Sequence, residues 1–217
     1  PGGRVVRTVL PNGLTLIAAE NRIAKSVAIR GYVLAGPTAD PARKAGLSHI
    51  TASLLTRGTA SRTGPALAEA LDFLGGSLSI QAEQETVGIA AQMLSEHLDS
   101  VLDLLADCLE KPTFPAAELA KAVGQLKTTL THEAEDSRER AQRELFALLF
   151  PAGHPLHRNP RGEMADLDGI TREEAIQFHG QFYQPDRTVL VIAGDFSPEQ
   201  ILASVQRAFG GWTRQPV

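Results

Sequence analysis

Apolar and polar positions recur along the chain with two periods, one typical of strands and one typical of helices. Alternating or continuous runs of aliphatic and β-branched residues predict six strands, at 5–10, 14–19, 27–35, 77–83, 86–94 and 187–193. The first two flank Pro11-Asn12-Gly13, and Asn-Gly between two apolar runs is typical of a β-hairpin. The segments 77–83 and 86–94 are also predicted to pair with each other.

Apolar residues spaced three and four apart predict six helices, at 45–56, 65–74, 95–109, 115–150, 171–183 and 197–209. Ser95 is placed to cap the third helix, and Thr171 and Glu174 have the spacing of a capping box. The charged stretch 133–143 is predicted to continue the long fourth helix. Because strands and helices do not alternate strictly and hairpins are present, the pattern predicts an α+β fold, with helices covering a mainly antiparallel sheet.

Composition narrows the class of protein. At 217 residues, with 43% apolar and 21% charged residues, the chain is typical of a soluble globular protein. The net charge of −4, with no long run of one sign, argues against a nucleic-acid partner. No run of about 18 apolar residues is present, so no membrane span is expected. The single cysteine, Cys108, lies in an apolar helical stretch and is interpreted as a buried, inert thiol.

The helix predicted at 45–56 carries the most informative chemistry. One of its faces, at i, i+3, i+4 and i+7, carries His49, Ala52, Ser53 and Thr56. Residues 46–59 resemble the zinc-site helix of the insulinase/pitrilysin family, the inverzincins, which runs G-L-x-H-x-x-E-H-x-x-F-x-G-T. The residues that fit this frame are Gly46, Leu47, His49, Arg57, Gly58 and Thr59.

Other short segments resemble the same family in the same order, so the likeness covers nearly the whole chain. They are Leu10-Pro11-Asn12-Gly13-Leu14, Leu74-Gly75-Gly76-Ser77, His154-Pro155, and Phe182-Tyr183-Gln184-Pro185 followed by the strand at 189–194. The resemblance implies an α+β fold with a sheet of about six strands, built from two ferredoxin-like units with helices on one face. It also implies that residues 1–217 are one peptidase-like domain, the first half of a two-domain subunit, with Gly210-Gly211 and Gln215-Pro216 at the start of a linker.

The departures from the family pattern concern its zinc site. Ala52 stands at the position of the catalytic glutamate, and Ser53 stands at that of the second zinc-binding histidine. The family spacing places the third ligand on Thr129 or Leu130, and neither can bind zinc. His49 is the one retained ligand position, so we expect no catalytic residue, no metal site and no cofactor, whereas active relatives use zinc. A shift of register that brings Glu133 into the site is the alternative.

Other candidate groups have structural interpretations that we favour. Residues 132–136 contain a histidine and several acidic residues that suggest a second metal site, but adjacent helical residues point in different directions. His154 and His157 lie in the proline-rich loop 151–162, where we expect them to pack rather than to bind a metal. No G-x-S-x-G context surrounds Ser53, so it is not interpreted as a nucleophile.

The resemblance predicts a non-catalytic subunit or domain of an insulinase/pitrilysin-type metallopeptidase assembly. Such a chain resembles a zinc metalloendopeptidase but is inactive alone, and it pairs with a catalytic subunit or with its own second half. Substrate peptides would contact the strand at 77–83, through Ser77, Leu78, Ser79, Ile80 and Gln81. The alternatives are a structural or assembly protein of the same fold and a zinc endopeptidase with ligands outside the motif. The residues do not predict a cellular compartment. A signal peptide removed from the mature protein would indicate the bacterial periplasm.

Overall fold

A six-stranded sheet organises the protein. The computed structural model describes residues 5–215. The strands are β1 (Val5–Val9), β2 (Thr15–Glu20), β3 (Ser26–Val33), β4 (Ser77–Ala82), β5 (Val87–Leu94) and β6 (Thr188–Gly194), in the spatial order β1-β2-β6-β3-β5-β4. All neighbours pair antiparallel except β2 and β6, which are parallel. The predicted mainly antiparallel sheet of six strands is therefore confirmed, as is the first hairpin.

The described residues also form eight α-helices, which lie between and after the strands in the chain. They are α1 (Leu47–Leu54), α2 (Gly64–Phe73), α3 (Leu98–Glu110), α4 (Ala116–Glu135), α5 (Ser137–Leu149), α6 (Met164–Leu167), α7 (Arg172–Phe182) and α8 (Pro198–Phe209). The predicted capping box begins α7, where Thr171 and Glu174 bond reciprocally to backbone N–H groups. Within residues 5–215, no helix is both long and apolar enough to cross a bilayer. Pro216 of the predicted linker lies outside the described residues.

Two local predictions are wrong. The long helix predicted at 115–150 is broken at Asp136, which has extended backbone angles and whose carboxylate accepts the N–H groups of Arg138 and Glu139. Asp136 thus ends α4 and caps α5. Ser95 does not cap the third helix, because a short 3-10 turn at Ser95–His97 precedes α3 and the Ser95 hydroxyl donates to Asp195 instead.

The two faces of the sheet differ in burial. One face is buried under helices and carries residues such as Leu16, Ile29 and Leu190, each at most 2% exposed. Residues of opposite orientation point away from that core, and among them Tyr32 on β3 is 40% exposed and Val9 on β1 is 51% exposed. The protein therefore has one helix-covered sheet face and one partly exposed face, which carries apolar residues such as Val9 and Tyr32.

Asp40 holds the first turn of α1 although it lies outside that helix. Its buried carboxylate accepts the N–H of Gly46 at 2.8 Å and the N–H of Ser48 at 2.8 Å, and it also accepts the Ser48 hydroxyl. Because the first N–H groups of a helix have no partners within it, these bonds fix where α1 begins. Burial raises the pKa of Asp40 to about 7, against the effect of its hydrogen bonds.

We predict that the contribution of Asp40 to stability depends on pH. Its folded-state pKa is raised above the unfolded value, so its contribution is full below pH 4 and is lost as pH rises through about 7. Urea unfolding of the protein and of Asp40→Asn should show that the advantage of the parent over the variant falls by about 2 kcal/mol between pH 5 and pH 8. A difference that stays constant over this range would contradict the assignment.

Candidate functional site

One pocket of about 280 Å³ lies beside α1 and gathers residues from five parts of the chain. His49 of α1 forms one wall, and the end of β4 with its turn forms another. The remaining lining comes from α4, α5 and the loop before α6, and it includes Glu133, Glu139, Arg140, Arg143, Arg158 and Arg161. The pocket therefore joins the motif helix to an unusual concentration of arginine side chains.

His49 is the motif residue that faces this pocket. Burial, together with the nearby positive charge of Arg161, lowers the pKa of its imidazole to about 4. The ring is therefore neutral at physiological pH. A neutral imidazole is the form that can bind a metal or accept a hydrogen bond.

The two neighbouring motif positions do not add ligands. Ala52 is 1% exposed and packs in the core. The Ser53 hydroxyl donates to the carbonyl of Ile50 at 2.8 Å, within its own helix. On the face of α1 that carries His49, the motif has a glutamate base and a second histidine ligand. At these two positions the chain has the methyl group of Ala52 and the hydroxyl of Ser53, which is bonded within the helix.

The three residues considered as a third zinc ligand lie in different surroundings. Leu130 is buried in the core, and the Thr129 hydroxyl donates to the carbonyl of Gln125 on the exposed side of α4. Glu133, one turn further along, lines the pocket with His49. Of the three positions considered, only the one from the shifted register, Glu133, lines the pocket with His49.

Glu133 already has a cationic partner. The guanidinium of Arg161 lies 2.7 Å from its carboxylate, with side-chain exposures of 37% for Arg161 and 18% for Glu133. Partial burial raises the pKa of Glu133, and the charge of Arg161 opposes that rise. Arg161 is not evident from the sequence, because a single arginine in a polar loop carries no signal of a contact with a distant helix.

Close backbone packing places Arg161 in the pocket. Gly46 and Gly162 both have left-handed φ angles, of 94° and 81°. A Cβ on Gly162 would lie 2.2 Å from the carbonyl oxygen of Ala45, and one on Gly46 would lie 2.7 Å from that of Arg161. The side chain of Asn159 accepts the N–H of Arg161 and completes the turn. Glycine is required at both positions because the loop and the start of α1 touch through their backbones.

These residues do not fit a catalytic zinc ion. Such a site needs three protein ligands with an open position for water. Here the carboxylate of Glu133, which lines the same pocket as His49, is bound to Arg161, and the Ser53 hydroxyl donates within its own helix. In the part of the chain that the structure describes, no group of three or more His, Cys, Asp or Glu side chains is close enough to hold a metal.

The predicted substrate strand is an edge strand. β4 pairs with β5 alone, and its other side is free of strand partners in the described sheet. Ile80 is buried and Leu78 half-buried on one face, whereas Ser77, Ser79 and Gln81 are exposed on the other. The residues that follow, Ala82 to Gln84, enter the pocket wall. The C-terminal end of β4 therefore lines the same pocket as His49.

The remaining candidates have structural roles. His154 stacks on Phe150 with ring centroids 4.8 Å apart, and a ring nitrogen of His157 bonds to the Phe150 carbonyl at 2.9 Å. These contacts confirm the packing interpretation of the loop. Cys108 is buried, and burial raises the pKa of its thiol to about 12, as an inert cysteine requires.

Comparison with protein families and curated proteins gives consistent matches. The model described as insulinase (peptidase family M16) matches residues 16–155, and the one described as peptidase M16 inactive domain matches residues 169–217. An uncharacterized zinc protease of Mycobacterium leprae is 28% identical over 95% of this chain and 46% of its own length. A probable mitochondrial-processing peptidase subunit beta of Schizosaccharomyces pombe is 27% identical over 94% of this chain and 44% of its length. The chain thus spans about half the length of these relatives.

Solved structures share the fold. A peptidase M16 inactive domain from Pseudomonas fluorescens superposes with a TM-score of 0.91 at 23% identity, covering 99% of this chain and 52% of that one. The periplasmic protease PqqL of Escherichia coli superposes with a TM-score of 0.89 at 17% identity, covering 100% of this chain and 25% of that one. The family model that matches residues 16–155, more than half of the chain, shows that the chain belongs to the insulinase family, peptidase family M16.

Proposed function

We propose that this chain is a non-catalytic, peptide-contacting half of a peptidase assembly of the insulinase family. It pairs with a second half of its own protein or with a separate catalytic subunit. The observation that carries the proposal is the state of the pocket beside α1. It retains His49, but the adjacent carboxylate is bound to Arg161 and the neighbouring motif positions are Ala52 and Ser53.

Loss of these groups removes both functions of a zinc peptidase site. Without a carboxylate at position 52, the site has no general base of the motif type to take a proton from water. Without a second imidazole at position 53, the helix offers one ligand rather than two. A role in holding peptides needs neither group, so the rest of the fold remains useful after the chemistry is lost.

The edge strand supports peptide contact. An exposed strand edge offers backbone N–H and C=O groups that an extended peptide can use as the next strand. On β4 the exposed side chains are small or polar, Ser77, Ser79 and Gln81, which places few demands on the sequence of the peptide. A peptide along this edge would run toward the pocket, because Ala82 and Glu83 line it.

The exposed sheet face supports pairing. Valine and tyrosine side chains remain partly exposed there, and a partner that covers them would gain the free energy of apolar burial. The half-length match to the relatives is in keeping with a missing second half. The second candidate function is a purely structural role in an assembly of this fold. That role would also use the exposed sheet face for pairing, but it would not require peptide binding at β4.

We predict that the chain alone does not hydrolyse peptides. Loss of the general base alone should lower the rate on the order of 10²-fold or more, and loss of the metal should lower it further. The measurement is cleavage of a peptide library with added zinc. We also expect Ala52→Glu with Ser53→His to remain inactive, because neither Thr129 nor Leu130 supplies the third ligand. Zinc-dependent cleavage that His49→Ala abolishes would instead identify an active endopeptidase.

We predict that peptides bind along β4. In an amide NMR titration with a mixture of short unstructured peptides, signals of Ser77–Ala82 should shift more than those of any other strand. The other edge strand, Val5–Val9, is the internal control, because it has a free edge but lies at the far side of the sheet from the pocket. Equal shifts at the two edges, or shifts confined to other regions, would favour the purely structural role.

We predict that the exposed sheet face is a pairing surface. The full-length protein should co-elute with a family member that carries an intact H-x-x-E-H motif, or its two halves should associate when expressed separately. Tyr32→Glu should weaken that association at least tenfold, because a charge in an apolar interface loses its hydration. Ile23→Glu is the matched control, since Ile23 is 94% exposed in a loop outside the sheet. Association unaffected by Tyr32→Glu would contradict this use of the face.

A further inference from the structure

The pocket beside α1 contains its own cation. We infer that the guanidinium of Arg161 takes the place of a bound metal ion between His49 and Glu133, and that it excludes divalent cations from this pocket. The pocket is lined by the neutral imidazole of His49, and by the carboxylate of Glu133 and the guanidinium of Arg161, which form an ion pair. The positive charge comes from the chain rather than from solution.

The ion pair explains how the partly buried carboxylate of Glu133 is stabilised. Glu133 is 18% exposed, and a carboxylate so placed needs a positive partner or a set of hydrogen bonds. Arg161 supplies that partner at 2.7 Å. A metal ion would have to displace the guanidinium from Glu133 or share the pocket with a second positive charge, and both are unfavourable at short range.

Arg161 also acts on His49. The two residues line the same pocket, and the positive charge of Arg161 disfavours the protonated imidazole. The same repulsion acts on a metal ion at the ring nitrogen. Arg161 therefore affects both groups that could serve as ligands here, one by direct pairing and the other through its field.

The backbone restrains Arg161 at this position. Asn159 is 8% exposed, and its side chain accepts the N–H of Arg161 at 3.0 Å. Gly162 next to it packs against Ala45, and Gly46 packs against the carbonyl of Arg161. These contacts fix the Cα of Arg161 against the start of α1. The guanidinium is thus held near the pocket by the fold as well as by its ion pair.

The inference shares the Arg161–Glu133 pair with the proposed function, but its test can fail independently, because zinc affinity involves neither a partner nor a peptide. The test adds a second imidazole to the motif helix and then removes the arginine. Zinc binding to the full-length protein is measured by isothermal titration calorimetry with ZnCl₂ for Ser53→His and for Ser53→His with Arg161→Ala. We expect the double variant to bind zinc at least tenfold more tightly than the single variant, with Glu133 released to serve as a ligand.

A matched control uses another arginine of the same pocket. Ser53→His with Arg140→Ala removes one positive charge from the lining but leaves the Arg161–Glu133 pair, so it should bind zinc as Ser53→His does. Thermal unfolding of each variant checks that the fold is retained. Equal affinities for the single and double variants, including the absence of binding by both, would overturn the inference, as would an equal gain from Arg140→Ala.

Discussion

The arrangement of the site depends on the buried carboxyl group of Asp40. Through its side chain, this residue holds the N–H groups of Gly46 and Ser48 and so sets the start of α1. Through its main-chain carbonyl, it accepts the guanidinium of Arg158, and the carbonyl of Pro41 accepts the same group. One short segment thus joins the motif helix to the loop that carries Arg161. The pocket exists because these two elements are held in fixed register.

The contacts that hold the shape of the pocket come mainly from residues other than those at the ligand and base positions of the motif. The contacts that position α1 are made by Asp40, by the backbone at Gly46 and Gly162, and by packing of Leu47, Ile50 and Leu54. The Ala52 methyl group also packs in the core, whereas the Ser53 hydroxyl bonds only within its own helix. The framework around the pocket thus rests mainly on contacts made away from His49, and the Arg161–Glu133 ion pair joins the loop before α6 to α4.

Local signals in the sequence predicted most elements of the fold, because those signals act over a few residues. Asn12-Gly13 made the first hairpin evident, and Thr171 with Glu174 made the start of α7 evident. The break at Asp136 was missed because both flanking segments have helical patterns, although an aspartate is a common N-cap. The order of the strands and the approach of Arg161 to Glu133 are set by contacts between distant segments, for which one sequence gives no periodic signal. The resemblance supplied the overall fold, but the ion pair required coordinates.

The position of β6 in the sheet has a consequence for how the protein is made. β6 lies between β2 and β3, so the hairpin of β1 and β2 joins the other three strands only through this late segment. Residues 15–20 must wait for residues 189–194 before they gain their second neighbour. During synthesis, a ribosome that has completed α7 therefore carries a chain with two separate pieces of sheet, and each has an unpaired inner edge. Folding of this sheet is therefore completed at its centre, by the sixth of its strands in chain order.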